Sequence, residues 1–71
     1  MKMEQVEAEL KAWGELVVTT AAGDRFELHL GDTTFDTERR IITLKTPTSI
    51  FEIDGDSIEH AEKHYGHRVD A

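Results

Sequence analysis

Seventy-one residues make one small domain, and 15 acidic against 8 basic side chains leave it a net charge of −7, a surface that reads as a solubility device and disfavours a phosphate backbone as general partner. A chain this short buries a smaller share of its unfolded surface than a larger domain does, so its stability rests on well-formed local structure, a compact apolar core or burial against another chain. No cysteine is present, which excludes disulfide staples and thiolate metal sites together; with no apolar leader in Met1-Lys2-Met3-Glu4-Gln5 and no bilayer-length apolar stretch, the expected location is the cytoplasm.

Met3, Val6, Leu10 and Trp13 recur at spacings of three and four, one stripe along a helix over residues 3–13. Gly14 follows as a left-handed C-cap, and Trp13 in the last turn is expected to plug the core. From Glu15 the period changes. Leu16-Val17-Val18-Thr19-Thr20 is rich in β-branched residues, Ala22-Gly23-Asp24 is turn chemistry, and Arg25-Phe26-Glu27-Leu28-His29-Leu30 alternates throughout. Phe26, Leu28 and Leu30 are assigned to one face and Arg25, Glu27 and His29 to the other, in an antiparallel hairpin with one wet side.

Residues 31–38 read either as a loop with one buried Phe35 or as a short extra strand around 33–35. Residues 39–46 read as a strand with Ile42 and Leu44 inward and Ile41 outward, ended by Pro47. Residues 48–53 give a further strand, with Phe51 and Ile53 on one side and Ile50 on the other. Asp54-Gly55 turns the chain. Asp56 and Glu59 form a capping-box-like pair, opening a second helix with Ile58, Ala61 and Tyr65 on one face and Gly66 at its end. Residues 67–71 are read as a tail. The expected fold is α+β: an N-terminal helix, an antiparallel meander of four or five short strands and a C-terminal helix, in a single domain over 1–71.

Gly14-x-x-Val17-Val18-x-Thr20-x-x-Gly23-x-x-Phe26, followed by Asp36 and a hydrophobic strand, resembles the opening of Sm-like barrels. That resemblance implies, as an alternative architecture, a small barrel of five strongly bent strands with flanking helices. It departs from the family at Glu27, where a glycine is preferred, in the C-terminal helix and in lacking the Asn-containing RNA motif, so no RNA-binding residue is carried over.

His60 and His64 stand at i and i+4 on the expected last helix, a spacing that can chelate a metal ion. Glutamate does not directly follow the first histidine, so this is not the metalloprotease pattern, and Gly66 breaks the helix before His67 can serve as third ligand. A solvated face is the expectation, with no metal and no cofactor assigned. Residues 54–65 match a calcium loop only at their start: Glu59 stands where glycine is required and Tyr65 where glutamate is. Arg39, Arg40 and Lys45 form one basic spot, expected to pair with strand carboxylates such as Glu27 or Glu52. Neither Ser49 nor Ser57 lies in a nucleophile elbow, and no phosphate-binding glycine loop occurs.

Catalysis is therefore not expected. The leading expectation is a non-catalytic protein-interaction or homo-oligomerisation module using an apolar patch of Val17, Ile41 and Ile50, with another protein or itself as partner and no membrane. The alternatives are a small Sm-like nucleic-acid-binding barrel with Arg39, Arg40 and Lys45 as its contacts, and histidine-based metal binding.

Overall fold

The computed structural model describes residues 1–63, which form α1 (Met3–Trp13), β1 (Glu15–Thr20), β2 (Arg25–His29), β3 (Thr33–Asp36), β4 (Ile41–Lys45), β5 (Ile50–Asp54) and β6 (Ile58–Glu62). Every strand pair is antiparallel, in two three-stranded sheets of order β2–β1–β6 and β3–β4–β5. The class is α+β as expected. The described residues hold six strands where four or five were expected: residues 33–36 take the strand option, which makes the fifth, β6 forms where the second helix was expected to begin, and α1 is the one helix among them.

Helix α1 follows its apolar stripe: Met3, Val6 and Leu10 are buried, and Gly14 closes the helix at φ 98°, donating its N–H to the Leu10 carbonyl at 2.7 Å. Trp13 does not plug the core. It is half-buried with the Lys63 Nζ 5.7 Å from its ring centroid, and Lys63 also pairs with Glu9, so the end of β6 holds the C-terminal half of the helix. In the β1–β2 hairpin, Gly23 takes φ 93° and its N–H donates to the Thr20 carbonyl, the glycine-dependent three-residue loop that twisted strands favour. Leu16, Val18, Leu28, Ile42, Leu44, Ile53 and Ile58 complete the core beneath α1. Leu30, assigned inward by alternation, is 54% exposed because β2 ends at His29 and the chain leaves the ladder.

The expected C-terminal helix is replaced at its start by β6. Thr20 pairs with Ile58 and Thr19 with His60, so Glu59 is the extra residue of a β-bulge. A bulge reverses alternation, which places both Ile58 and Ala61, three apart, on the core side. In sequence, that spacing imitates a helix. Tyr65, Gly66 and the tail at 67–71 lie outside the described residues.

Asp56 is a cap, but of the other helix. Lys2 gives α1 no side-chain cap; instead the Met3 N–H donates to Asp56 Oδ1 at 3.1 Å, and the N-terminal amino group donates to the Ile58 carbonyl. Arg40 locks this corner, donating Nη1 and Nη2 to Glu4 at 2.5 and 2.9 Å, and Nε and Nη2 to Asp56 at 3.0 and 2.8 Å. It does so from φ 62°, a backbone state that an L side chain rarely adopts.

A Cβ on Gly55 would sit 2.9 Å from Met3 Cγ and 3.0 Å from the Arg40 carbonyl oxygen. Gly55→Ala should therefore cost about 1–3 kcal/mol in urea unfolding, and combined with Met3→Ala it should cost less than the two singles together. Hydrogen bonds from Arg40 hold the Glu4 and Asp56 carboxyls at about 2, below their ordinary 4.5 and 3.8. A folded-state value below the unfolded one stabilises above the unfolded value and is lost as pH falls through the folded one. The melting temperature should thus fall between pH 4.5 and 2, and Arg40→Asn, which tolerates the same backbone, should flatten that dependence and lower stability at pH 7.

Candidate functional site

Two surfaces carry chemistry. The first is the outer side of the β1–β2 hairpin, where Glu15 pairs with His29 and Val17 with Glu27. These positions alternate with core residues Leu16, Val18 and Leu28, so their side chains share the opposite face. His29 Nε2 lies 2.8 Å from Glu15 Oε2 and 3.1 Å from Glu27 Oε1, while its Nδ1 lies 3.0 Å from Asp32 Oδ2. Asp32 is held in turn: its Oδ1 accepts the His29 N–H at 2.9 Å and the Thr33 hydroxyl at 2.7 Å. Glu15 is 4% exposed although it carries a carboxylate, whereas the His29 side chain is 43% exposed.

Burial alone would lower the His29 pKa, but its hydrogen bonds to Asp32 and Glu15 outweigh burial and hold it above 6.5. Burial would likewise raise Asp32, yet bonds from Thr33 and from the His29 amide and ring hold it below 3.8. Three carboxylates surround one imidazole; with all three ionised the sum is −2 even with the ring protonated. One ligand atom each from Glu15, Glu27 and His29 lies within 4.8 Å of the others.

The second surface is the edge of the other sheet. Among the described residues β5 has β4 on one side only, and it begins with Ile50 at 66% and Phe51 at 39% exposed. Phe51 meets Phe26 of β2 with ring centroids 5.3 Å apart and planes tilted by 60°. A shallow groove lined by Ala21, Phe26, Glu52 and Ile53 among others runs between the hairpin loop and β5.

The residues singled out from sequence are placed as follows. Val17 is 8% exposed, between Glu27 of β2 and Glu62 of β6. Ile41 is half-buried and pairs with Asp54, whereas Ile50 pairs with Lys45 at the other end of the ladder, so about 13 Å separates the two along β4. Val17 belongs to the other sheet. Arg40 is engaged by Glu4 and Asp56; Arg39 lies in the turn before β4, and Lys45 ends that strand. His60 is exposed on β6 opposite Thr19, on a strand and not on a helix, and His64 lies outside the described residues. The His29 cluster was not found by motif, because its members are contiguous only across the hairpin.

Comparison with protein-family models, with curated proteins and with solved structures finds no match, so no family is assigned and function rests on geometry. No helix among the described residues is long and apolar enough to cross a membrane.

An NMR titration in the presence of a chelator checks the cluster. The His29 midpoint should lie above the ordinary histidine value, and Asp32→Asn should lower it. Because the folded value is the raised one, this stabilisation is full below about pH 6.5 and is lost as pH rises through the folded value.

Proposed function

We propose that the chain is a non-catalytic protein-interaction module whose contact surface is the open edge of β5. The observation that carries this reading is a strand edge left unpaired among the described residues, bearing exposed Ile50 and Phe51 beside Phe26. A sheet edge presents a row of backbone donors and acceptors ready to pair with another extended chain, and alternate side chains supply anchors. Edges that avoid such pairing carry charged side chains, above all lysine, or proline or a bulge; β5, Ile50-Phe51-Glu52-Ile53-Asp54, has no lysine, proline or bulge, and its two charges are both acidic.

Charge selects the partner. Antiparallel β5-on-β5 pairing centred on Glu52 would set Glu52 opposite Glu52, and β5-on-β6 pairing would join two acidic strands, both unfavourable. The favoured occupant is an extended segment of another protein with apolar anchors and basic side chains. Self-association is the competing outcome. The non-catalytic reading is supported by the bonding of the hydroxyls: Ser57 Oγ donates to the Asp54 carbonyl and Thr33 Oγ1 to Asp32, while both His29 nitrogens face carboxylates. The cysteine-free composition supports a reducing compartment such as the cytoplasm.

A second reading, the small Sm-like nucleic-acid-binding barrel, is favoured by one feature. β1 lies between β2 and the last described strand, and β2 runs through Leu30-Gly31-Asp32 into β3 of the other sheet. Its basic spot is weakened by the engagement of Arg40, which leaves Arg39 and Lys45 as contacts. Salt-sensitive RNA binding lost in Lys45→Glu would establish that reading instead.

The test is capture from the source lysate by the tagged chain, with and without nuclease, alongside sedimentation of the purified protein. A monomer that captures a nuclease-resistant protein partner is expected, and Ile50→Glu should weaken capture about tenfold or more. Capture indifferent to Ile50→Glu would sink the β5 edge, and a concentration-dependent oligomer broken by Ile50→Glu would make the occupant a second copy.

A further inference from the structure

We propose that Glu15, Glu27 and His29 form a binding site for one divalent transition-metal ion of the zinc class, with Asp32 as the residue that positions the imidazole. The site is separate from the β5 edge and does not depend on it.

The donor set selects the ion. One imidazole nitrogen with two carboxylates is the mixed N/O environment that suits Zn²⁺ and its first-row neighbours, whereas Ca²⁺ and Mg²⁺ take oxygen shells. The spacing is close to what such an ion needs. Ligands about 2.0 Å from a tetrahedral centre stand about 3.3 Å from one another, and His29 Nε2 is already 2.8 and 3.1 Å from its two carboxylate neighbours. Opening those two distances by a few tenths of an ångström brings them to that spacing, and the Glu15 and Glu27 ligand atoms lie within 4.8 Å of each other.

The supporting shell is present. A metal-bound histidine ordinarily donates its other ring N–H to a carboxylate, which fixes the tautomer and aims the ligating lone pair. Asp32 occupies that position on Nδ1 at 3.0 Å, and is itself fixed by the Thr33 hydroxyl and the His29 amide. Backbone ladders hold the ligands: Glu15 and His29 are directly opposed across the hairpin, and Glu27 is two residues along β2 on the same face. Glu15 is buried and restricted, while Glu27 is 58% exposed and can swing to meet an ion. The same exposure leaves room for water to complete the coordination shell. With the ring neutral, the three carboxylates carry −3, which a divalent ion reduces to −1.

The competing account is an imidazolium ring bridging carboxylates with no affinity for metal. The chain without a polyhistidine tag, stripped by chelator, is titrated with Zn²⁺ by calorimetry and by histidine NMR. One equivalent should bind and shift the His29 ring resonances, leaving those of His60 in place. Equal Mg²⁺ should do neither. Glu27→Gln, at an exposed position whose fold is verified by the amide spectrum, should weaken Zn²⁺ binding at least tenfold. Absence of saturable Zn²⁺ binding overturns the proposal. So does binding that survives Glu27→Gln and is lost when His60 and His64 are replaced.

Discussion

Arg40 ties the helix to the turns of both sheets, and the placement of everything else follows from that knot. Its planar guanidinium presents donors along two edges, and both are used: one fork grips Glu4 in the first turn of α1, the other grips Asp56 in the β5–β6 turn. A further bond to the Thr37 carbonyl at 3.1 Å anchors the arginine to its own turn. Lysine, with one point charge, could not hold two carboxylates in fixed orientation. These groups sit at the surface, where ion pairs contribute little stability by themselves. Their importance is geometric. They set the N-terminus of α1 over Gly55, and from there Met3, Val6 and Leu10 fall onto the apolar faces of the sheets, whose burial supplies the driving force.

The second constraint is the short passage between β2 and β3. Three residues, Leu30-Gly31-Asp32, carry the chain from one sheet to the other, and Asp32 does two things there. Its Oδ1 accepts the backbone N–H of His29, closing the bend at the end of β2, and its Oδ2 faces the ring of the same histidine. The bend that separates the sheets thereby also orients the imidazole toward Glu15 and Glu27. Fold and cluster share one carboxylate.

Where local pattern decides structure, the sequence was readable. The stripe of Met3, Val6 and Leu10 and the glycine after Trp13 mark α1 to the residue, and the β-branched run with Gly23 marks the first hairpin. Pattern failed where long-range pairing rewrites it. Ile58 and Ala61 carry helical spacing, but β1 needs a partner along its second edge, and a bulge at Glu59 lets that spacing serve a strand. Asp56 has the chemistry of an N-cap; nothing local says that the helix it caps starts 53 residues earlier. The cluster was half legible. Once Gly23 fixes the hairpin loop, counting outward sets Glu15 against His29 and Val17 against Glu27. Asp32 could not be reached this way, because its approach depends on the bend. Val17 is covered for the same kind of reason: its strand acquires a neighbour on each side, so an outward-facing position is buried by flanking side chains.

The composition of the hairpin's outer face is not what stability alone would select. Glu15 is almost wholly removed from solvent, and a buried carboxylate costs desolvation that an ion pair with a half-exposed histidine repays poorly. A cross-strand pair of β-branched residues at 15 and 29 would hold these strands together without that cost. Glu27 sets a second carboxylate beside Glu15, and Asp32 a third around the same ring, so with all three ionised the cluster carries two more negative charges than a protonated His29 can neutralise. An ion pair that serves only to hold a hairpin has no use for that excess. A surface meant to attract positive charge does, and the acidity of the chain as a whole, −7 over 71 residues, extends the same field around it.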